Sequence, residues 1–312
     1  MAATPAVARR RPGRSRVAAR RVTASEHFTG WGFVTPGVAI ILLFGAVPIV
    51  WSAVMSFQRS DLLHPSTPFV GLRNYREMVH DPVVTQAIMH TLVYTALFVP
   101  GTMVVGLFLA VAMNRKIRLL WLYRTAAYAT MAISTISEAL VFIWLFDPSY
   151  GIVNYFLSLL GIPQQPFLNS PSEALYVIVI MTIWGWTGFA VVIYLAALQG
   201  VPQTLIEAAA IDGAGPWRTF RKVTLPLLSP ASLFLAVWLT INALQLFDEV
   251  YLSTMGGPLN ATTVLVYYLY EQAFVNFNFG YASAIAYVLF LIILVVTAIQ
   301  FRVGRRFTHY RS

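Results

Sequence analysis

Six long apolar runs set the limits on how this chain can fold. They are Gly30–Phe57, about Ala87–Met113, about Thr125–Phe146, about Ala174–Leu198, about Ala231–Phe247 and about Tyr281–Phe301. A helix needs about 20 apolar residues to cross the hydrocarbon core of a bilayer. Only helices and closed barrels satisfy every backbone polar group there. The chain is 58% hydrophobic and 11% charged, against about 25% charged in soluble domains. It therefore reads as an all-α polytopic membrane protein with six transmembrane helices.

The basic residues are segregated along the sequence. Of the 21 Lys and Arg, three (Arg59, Arg73 and Arg76) lie in the first loop between runs. The other eighteen lie in the N-terminal arm, the connection between runs two and three, the connection between runs four and five, and the C-terminal tail. With six spans these eighteen share one side, which the positive-inside rule makes the cytoplasm. Both termini are then cytoplasmic. The arm at residues 1–28 is rich in Arg, Ala and Pro and reads as disordered. Residues 29–312 form the transmembrane domain. The first run is too long for a signal-peptide core of 7–15 residues and reads as an uncleaved anchor.

Several chemistries are absent from the sequence. There is no Cys, which excludes disulfides and thiolate sites. The two lysines, Lys116 and Lys222, each follow an Arg, so no Walker A loop exists. No metal-binding or nucleophile motif is found, and the chain reads as a non-enzyme. A basic groove interleaved with aromatics is also missing, which argues against nucleic acid.

One long polar stretch interrupts the second half. Residues 201–230 contain EAAAIDGAGPWRTFRKVTLPLLSP. Helix formers fill Gln203–Asp212, Gly213 suits a C-cap with positive φ, and Pro216 suits the first turn of a second helix. Pro226 and Pro230 are expected to stop that helix and restart the chain as the fifth span. The element reads as a helix–turn–helix on the cytoplasmic face with a small-residue surface, Ala208 to Ala210 and Ala214.

Polar groups inside the spans are the candidate pathway. Glu138 lies 14 residues beyond Arg124, roughly 21 Å along a continuous helix. Ser134, one turn earlier, is a possible partner for it. Trp238, Asn242, Gln245 and Glu249 follow at spacings of 4, 3 and 4, one face of a continuous helix. Aromatic rings and amides suit a sugar, though the same residues can also join helices to one another. Asp248 joins them as a pathway candidate, and Trp184 and Trp186 are weaker ones.

The spacing Glu207-Ala208-Ala209, three residues, Gly213, nine residues, Val223, one residue, Leu225-Pro226 resembles the EAA loop of ABC importer permeases. Val223 stands where that pattern has Ile. "FVGLRNY" (Phe69–Tyr75), "FDEVYLSTMGGP" (Phe247–Pro258) and "AIDGA" (Ala210–Ala214) resemble the carbohydrate branch, of the maltose-transporter first-subunit type. The resemblance implies a type I ABC importer permease fold in the bacterial inner membrane. It implies that Glu207, Ala208, Ala209, Asp212, Gly213 and Ala214 form a coupling helix docking on an ATPase. The implied partners are a second permease subunit, two ATPase subunits that bind ATP and Mg, and an extracytoplasmic solute-binding protein. No cofactor is expected on this chain. The solute is expected to be a sugar or related polyol. A glycerol-phosphate-type solute, an ion-coupled secondary transporter using Glu138 or Asp248, and a non-transporting scaffold are the alternatives.

Overall fold

A computed structural model describes residues 24–61, 66–115 and 118–307. Among these residues the fold is helical, with two isolated β-bridges, Gln58 with Phe69 and Asp61 with Asn278. The helices are α1 (Ala24–Ile41), α2 (Val47–Ser56), α3 (Arg73–His80), α4 (Pro82–Met113), α5 (Leu120–Ala129), α6 (Thr135–Leu145), α7 (Ile152–Leu159) and α8 (Ala174–Gln199). They continue with α9 (Gln203–Ile211), α10 (Pro216–Thr219), α11 (Leu225–Leu227), α12 (Ser229–Leu244), α13 (Asp248–Ser253), α14 (Leu265–Tyr270) and α15 (Phe279–Phe307). The chain divides into two compact units, residues 1–51 and 52–312.

The first unit holds α1 and the first part of α2. α1 runs through a π turn at Leu42–Ala46 into α2, so the first apolar run is one long helical span. The helix opens at Ala24, ahead of the expected Gly30. The rest of the basic arm, residues 1–23, lies outside the described residues.

In the second unit the central packing is α4 against α8. Small residues allow the close approach: a Cβ on Gly106 would fall 2.5 Å from Ala190 Cβ. Around this seam Tyr94, Phe98, Ile178 and Met181 are fully buried, together with Leu239 of α12. Polar ties between helices add direction to the packing. The Tyr194 hydroxyl donates to Ser232 Oγ at 3.3 Å, and Gln300 Nε2 donates to Thr240 Oγ1 at 2.7 Å.

Among the described residues four helices are long and apolar enough to span a membrane, and the count rises to six when two bent pairs each count as one span. The expected straight third span is one of these pairs. α5 and a 3-10 turn at Thr130–Ala132 meet α6 at 105°. The break follows from local capping: Ser134 is extended (ψ 148°), and its Oγ accepts the N–H of Ser137. The expected distance of Glu138 along a continuous helix is therefore overturned. The expected fifth span is bent as well. The helix running from Pro216 to Leu227 meets α12 at 62°, and α12 ends at Leu244. Pro226 does not stop the earlier helix. A proline has no N–H to donate, and a π turn at Phe220–Thr224 precedes it and carries the chain past. Pro230 does sit in the first turn of α12.

Candidate functional site: two adjoining cavities and an exposed helix–turn–helix loop

The loop between α8 and α12 has the local form that its sequence predicts. Gly213 takes φ +74°. Its N–H donates to Ala210 O at 3.0 Å, and the N–H of Ala214 donates to Ala209 O at 2.9 Å. Those two bonds make a Schellman cap, which needs a left-handed residue at the position Gly213 occupies. Pro216 then starts α10. α9 has no buried residue, and Ile211 is 87% and Trp217 73% exposed. Glu207, Ala208, Ala210 and Asp212 are exposed, and Ala209 and Ala214 are half-buried. The loop thus displays two short helices with an apolar surface left uncovered in the isolated chain.

The pathway candidates gather around two adjoining cavities. The first, about 190 Å³, is lined by Tyr94, Phe98, Asn242, Gln245, Asp248 and Glu249, among others. The second, about 220 Å³, is lined by Glu138, Gly185, Phe189 and Glu249, among others. Thr135 and Trp186 line both, as does Glu249. The cavities therefore draw on α4, α6, α8, α12 and α13.

The route by which these residues meet differs from the expected one. Asn242, Gln245 and Glu249 were expected on one continuous helix. Instead the chain leaves α12 at Leu244, with Gln245 as the C-cap (φ −103°, ψ 15°), and restarts at Asp248. Asp248 and Glu249 sit in the first turn of α13, where the helix dipole favours acids. The turn keeps both acids at the cavity. Trp238 is the exception: it lines neither cavity. It stacks on Phe234 and on Phe189, each with centroids 6.1 Å away. It therefore supports Phe189, which does line the second cavity.

Asn242 donates its amide to Trp238 O at 2.8 Å, a bond within its own helix rather than to a neighbour. Glu138 is 7% exposed and its Oε1 has no hydrogen-bond partner among the described residues. Ser134 does not supply one. Its hydroxyl meets Ser137 instead, and only its carbonyl meets the Glu138 N–H. The carboxylate rests against α8 at Gly185, where a Cβ would come within 2.5 Å of both carboxylate oxygens. Gly185 thus makes the room that Glu138 occupies.

Two clusters lie away from the cavities. Asp81 caps α4 through Val83 N at 2.9 Å and accepts the hydroxyls of Tyr268 at 2.6 Å and Tyr281 at 2.8 Å. Burial raises its carboxyl, but those hydroxyls and the backbone N–H groups of Val83 and Val84 outweigh it and hold the group below its ordinary value. In the FVGLRNY stretch, Asn74 Nδ2 donates to Ser56 O and Gln58 O, and the Tyr75 hydroxyl donates to Ser56 Oγ. That stretch clamps the chain leaving α2.

Residues 102–309 match the family described as binding-protein-dependent transport system inner membrane component. The chain belongs to that family. It is an ABC importer permease subunit, a multi-pass protein of the inner membrane. This permease is 37% identical over 284 residues to the lactose transport system permease protein of Rhizobium radiobacter, covering 88% of this chain and 94% of that protein. It is 35% identical over 279 residues to the sn-glycerol-3-phosphate transport system permease protein of Yersinia pestis, covering 89% and 94%. The sulfoquinovosyl glycerol transport system permease protein of Agrobacterium fabrum is 34% identical over 268 residues, covering 86% of each. Among solved structures, a bacterial ABC transporter involved in alginate import superposes with TM-score 0.81 at 23% identity, covering 91% of this chain and 98% of that one. The permease therefore has that fold.

Proposed function

We propose that this permease passes a sugar or related polyol through the two cavities, driven by ATP hydrolysis on separate ATPase subunits. The carrying observation is the convergence of Asn242, Gln245 and Trp186 on one cavity from α12 and α8. A saccharide needs hydrogen-bonding groups for its hydroxyls and a ring for its C–H face. The lactose permease relative supports that class.

In this reading a second permease subunit faces this one, and two ATPase subunits carry ATP and Mg. An extracytoplasmic binding protein delivers the solute. The exposed surface of α9 and α10, including Glu207 to Ala209 and Asp212 to Ala214, docks on an ATPase. Both termini and this loop lie in the cytoplasm, which the distribution of Lys and Arg supports.

Alanine variants of Asn242 and Gln245 test the solute role. Solute contact predicts that assembled complex is retained while half-saturation or maximal uptake shifts about tenfold, equivalent to about 1.4 kcal/mol. Assembled complex and uptake are measured in the same membranes. Loss of assembly with unchanged uptake per complex would remove both residues from the site.

A further inference from the structure

The two cavities share a feature that neither the family nor the relatives' names assign: they carry acids and no base. Glu138 and Glu249 line the second cavity, and Asp248 and Glu249 line the first. No Lys, Arg or His is among the residues lining either one. Glu138 is more than nine-tenths buried, and its Oε1 accepts no hydrogen bond from the described residues. A buried carboxylate oxygen with no donor is costly to keep. The room for it is kept by Gly185, whose replacement by any larger residue would collide with it. The arrangement therefore holds an acceptor ready for a donor that the described residues do not supply.

We infer that Glu138 and Glu249 act as a charge filter: they admit polyhydroxy solutes that are uncharged or carry an amine, and they reject anionic ones. This inference rests on the reading of the cavities as the solute pathway. A solute hydroxyl or ammonium supplies the donor that Glu138 Oε1 lacks. A phosphate, sulfonate or carboxylate supplies only acceptors. Wherever Glu138 and Glu249 are ionised they also repel it, in a cleft that focuses their field. The filter separates this chain from solutes of the glycerol-phosphate class, although a relative of similar identity is named for sn-glycerol-3-phosphate.

The test measures cavity charge without needing the solute. The chain has no Cys, so Thr135→Cys, which lines both cavities, gives a single reactive site. Asn260→Cys gives an exposed control. The complex in membranes is labelled at about pH 8 with two methanethiosulfonates of similar size, one ending in an ammonium and one in a sulfonate. The expected cation-to-anion rate ratio at position 135 is at least about tenfold above that at position 260. Glu138→Gln and Glu249→Gln together should lower it toward the control value, with Asp248 the one acid left in the first cavity. Should the double variant fail to assemble, Glu138→Gln alone should lower the ratio, and the ratio in the unsubstituted background already decides the sign. Equal ratios at the two positions, or a ratio indifferent to both Gln changes, would overturn the filter.

Uptake then links the charge to the solute. Membranes are given an uncharged disaccharide, its aminated form and its carboxylated form. Competition by the first two and not the third is expected, with the third gaining in the double Gln variant. Competition by all three alike would overturn the filter while leaving the sugar-permease reading in place. Competition by none, with the labelling ratio high, would count against the sugar reading while leaving the cavity charge standing.

Discussion

Single residues line the candidate cavities, and those legible in the sequence share a property. Glu138, Asn242, Gln245, Asp248 and Glu249 are polar groups placed in or beside apolar runs, where polarity is expensive. That cost is visible in sequence. Gly185 and Thr135 were not legible, because a glycine or threonine in a span is ordinary until a neighbour is known. Trp238 was misplaced for a related reason: helical periodicity gave its face but not the rings of Phe189 and Phe234 that cover it. Asp81 escaped notice because its partners, Tyr268 and Tyr281, lie far along the chain. It now supports a prediction. Its carboxyl is held below the ordinary value of 3.8, so its stabilisation is full above that pH and is lost as pH falls through the lowered value. Asp81→Asn keeps an acceptor but removes its charge, and at this partly exposed site it should destabilise the protein by about 1 kcal/mol at neutral pH. Thermal unfolding in detergent as a function of pH checks it. The gap between wild type and variant should close in acid, and a gap constant with pH would refute the assignment.

At the scale of elements, long apolar runs predicted helices well, and breaks within them were predicted poorly. The 105° bend before α6 has no Gly or Pro at its corner. Its signal was Ser134 capping Ser137, a weak pattern in a run of small polar residues. The end of α12 had a clearer sign, since Asp248-Glu249 after an apolar stretch marks a helix start. The Gly213 turn was fully legible because glycine and proline state their backbone needs locally. The side on which that loop lies can be read by labelling. Cysteines placed at Ser66 and Asn260 should react with an impermeant thiol reagent added outside intact cells, and one at Thr219 should not. Reaction at Thr219 under those conditions would reverse the proposed orientation.

For the whole molecule, six apolar runs and a segregated charge pattern sufficed to predict an all-α membrane fold, because bilayer physics leaves few alternatives. The sequence holds no Walker A loop, and the proposed function places ATP hydrolysis on separate subunits. In the proposed function, coupling passes through the exposed surface of α9 and α10 to a chain that hydrolyses ATP. The most direct test reconstitutes this permease with its partner subunits and binding protein in proteoliposomes and measures solute accumulation. Accumulation should require ATP and should be abolished by Gly213→Pro or Glu207→Lys with the variant protein still in the membrane. Accumulation driven by an ion gradient without ATP, or undiminished in both variants, would contradict the account.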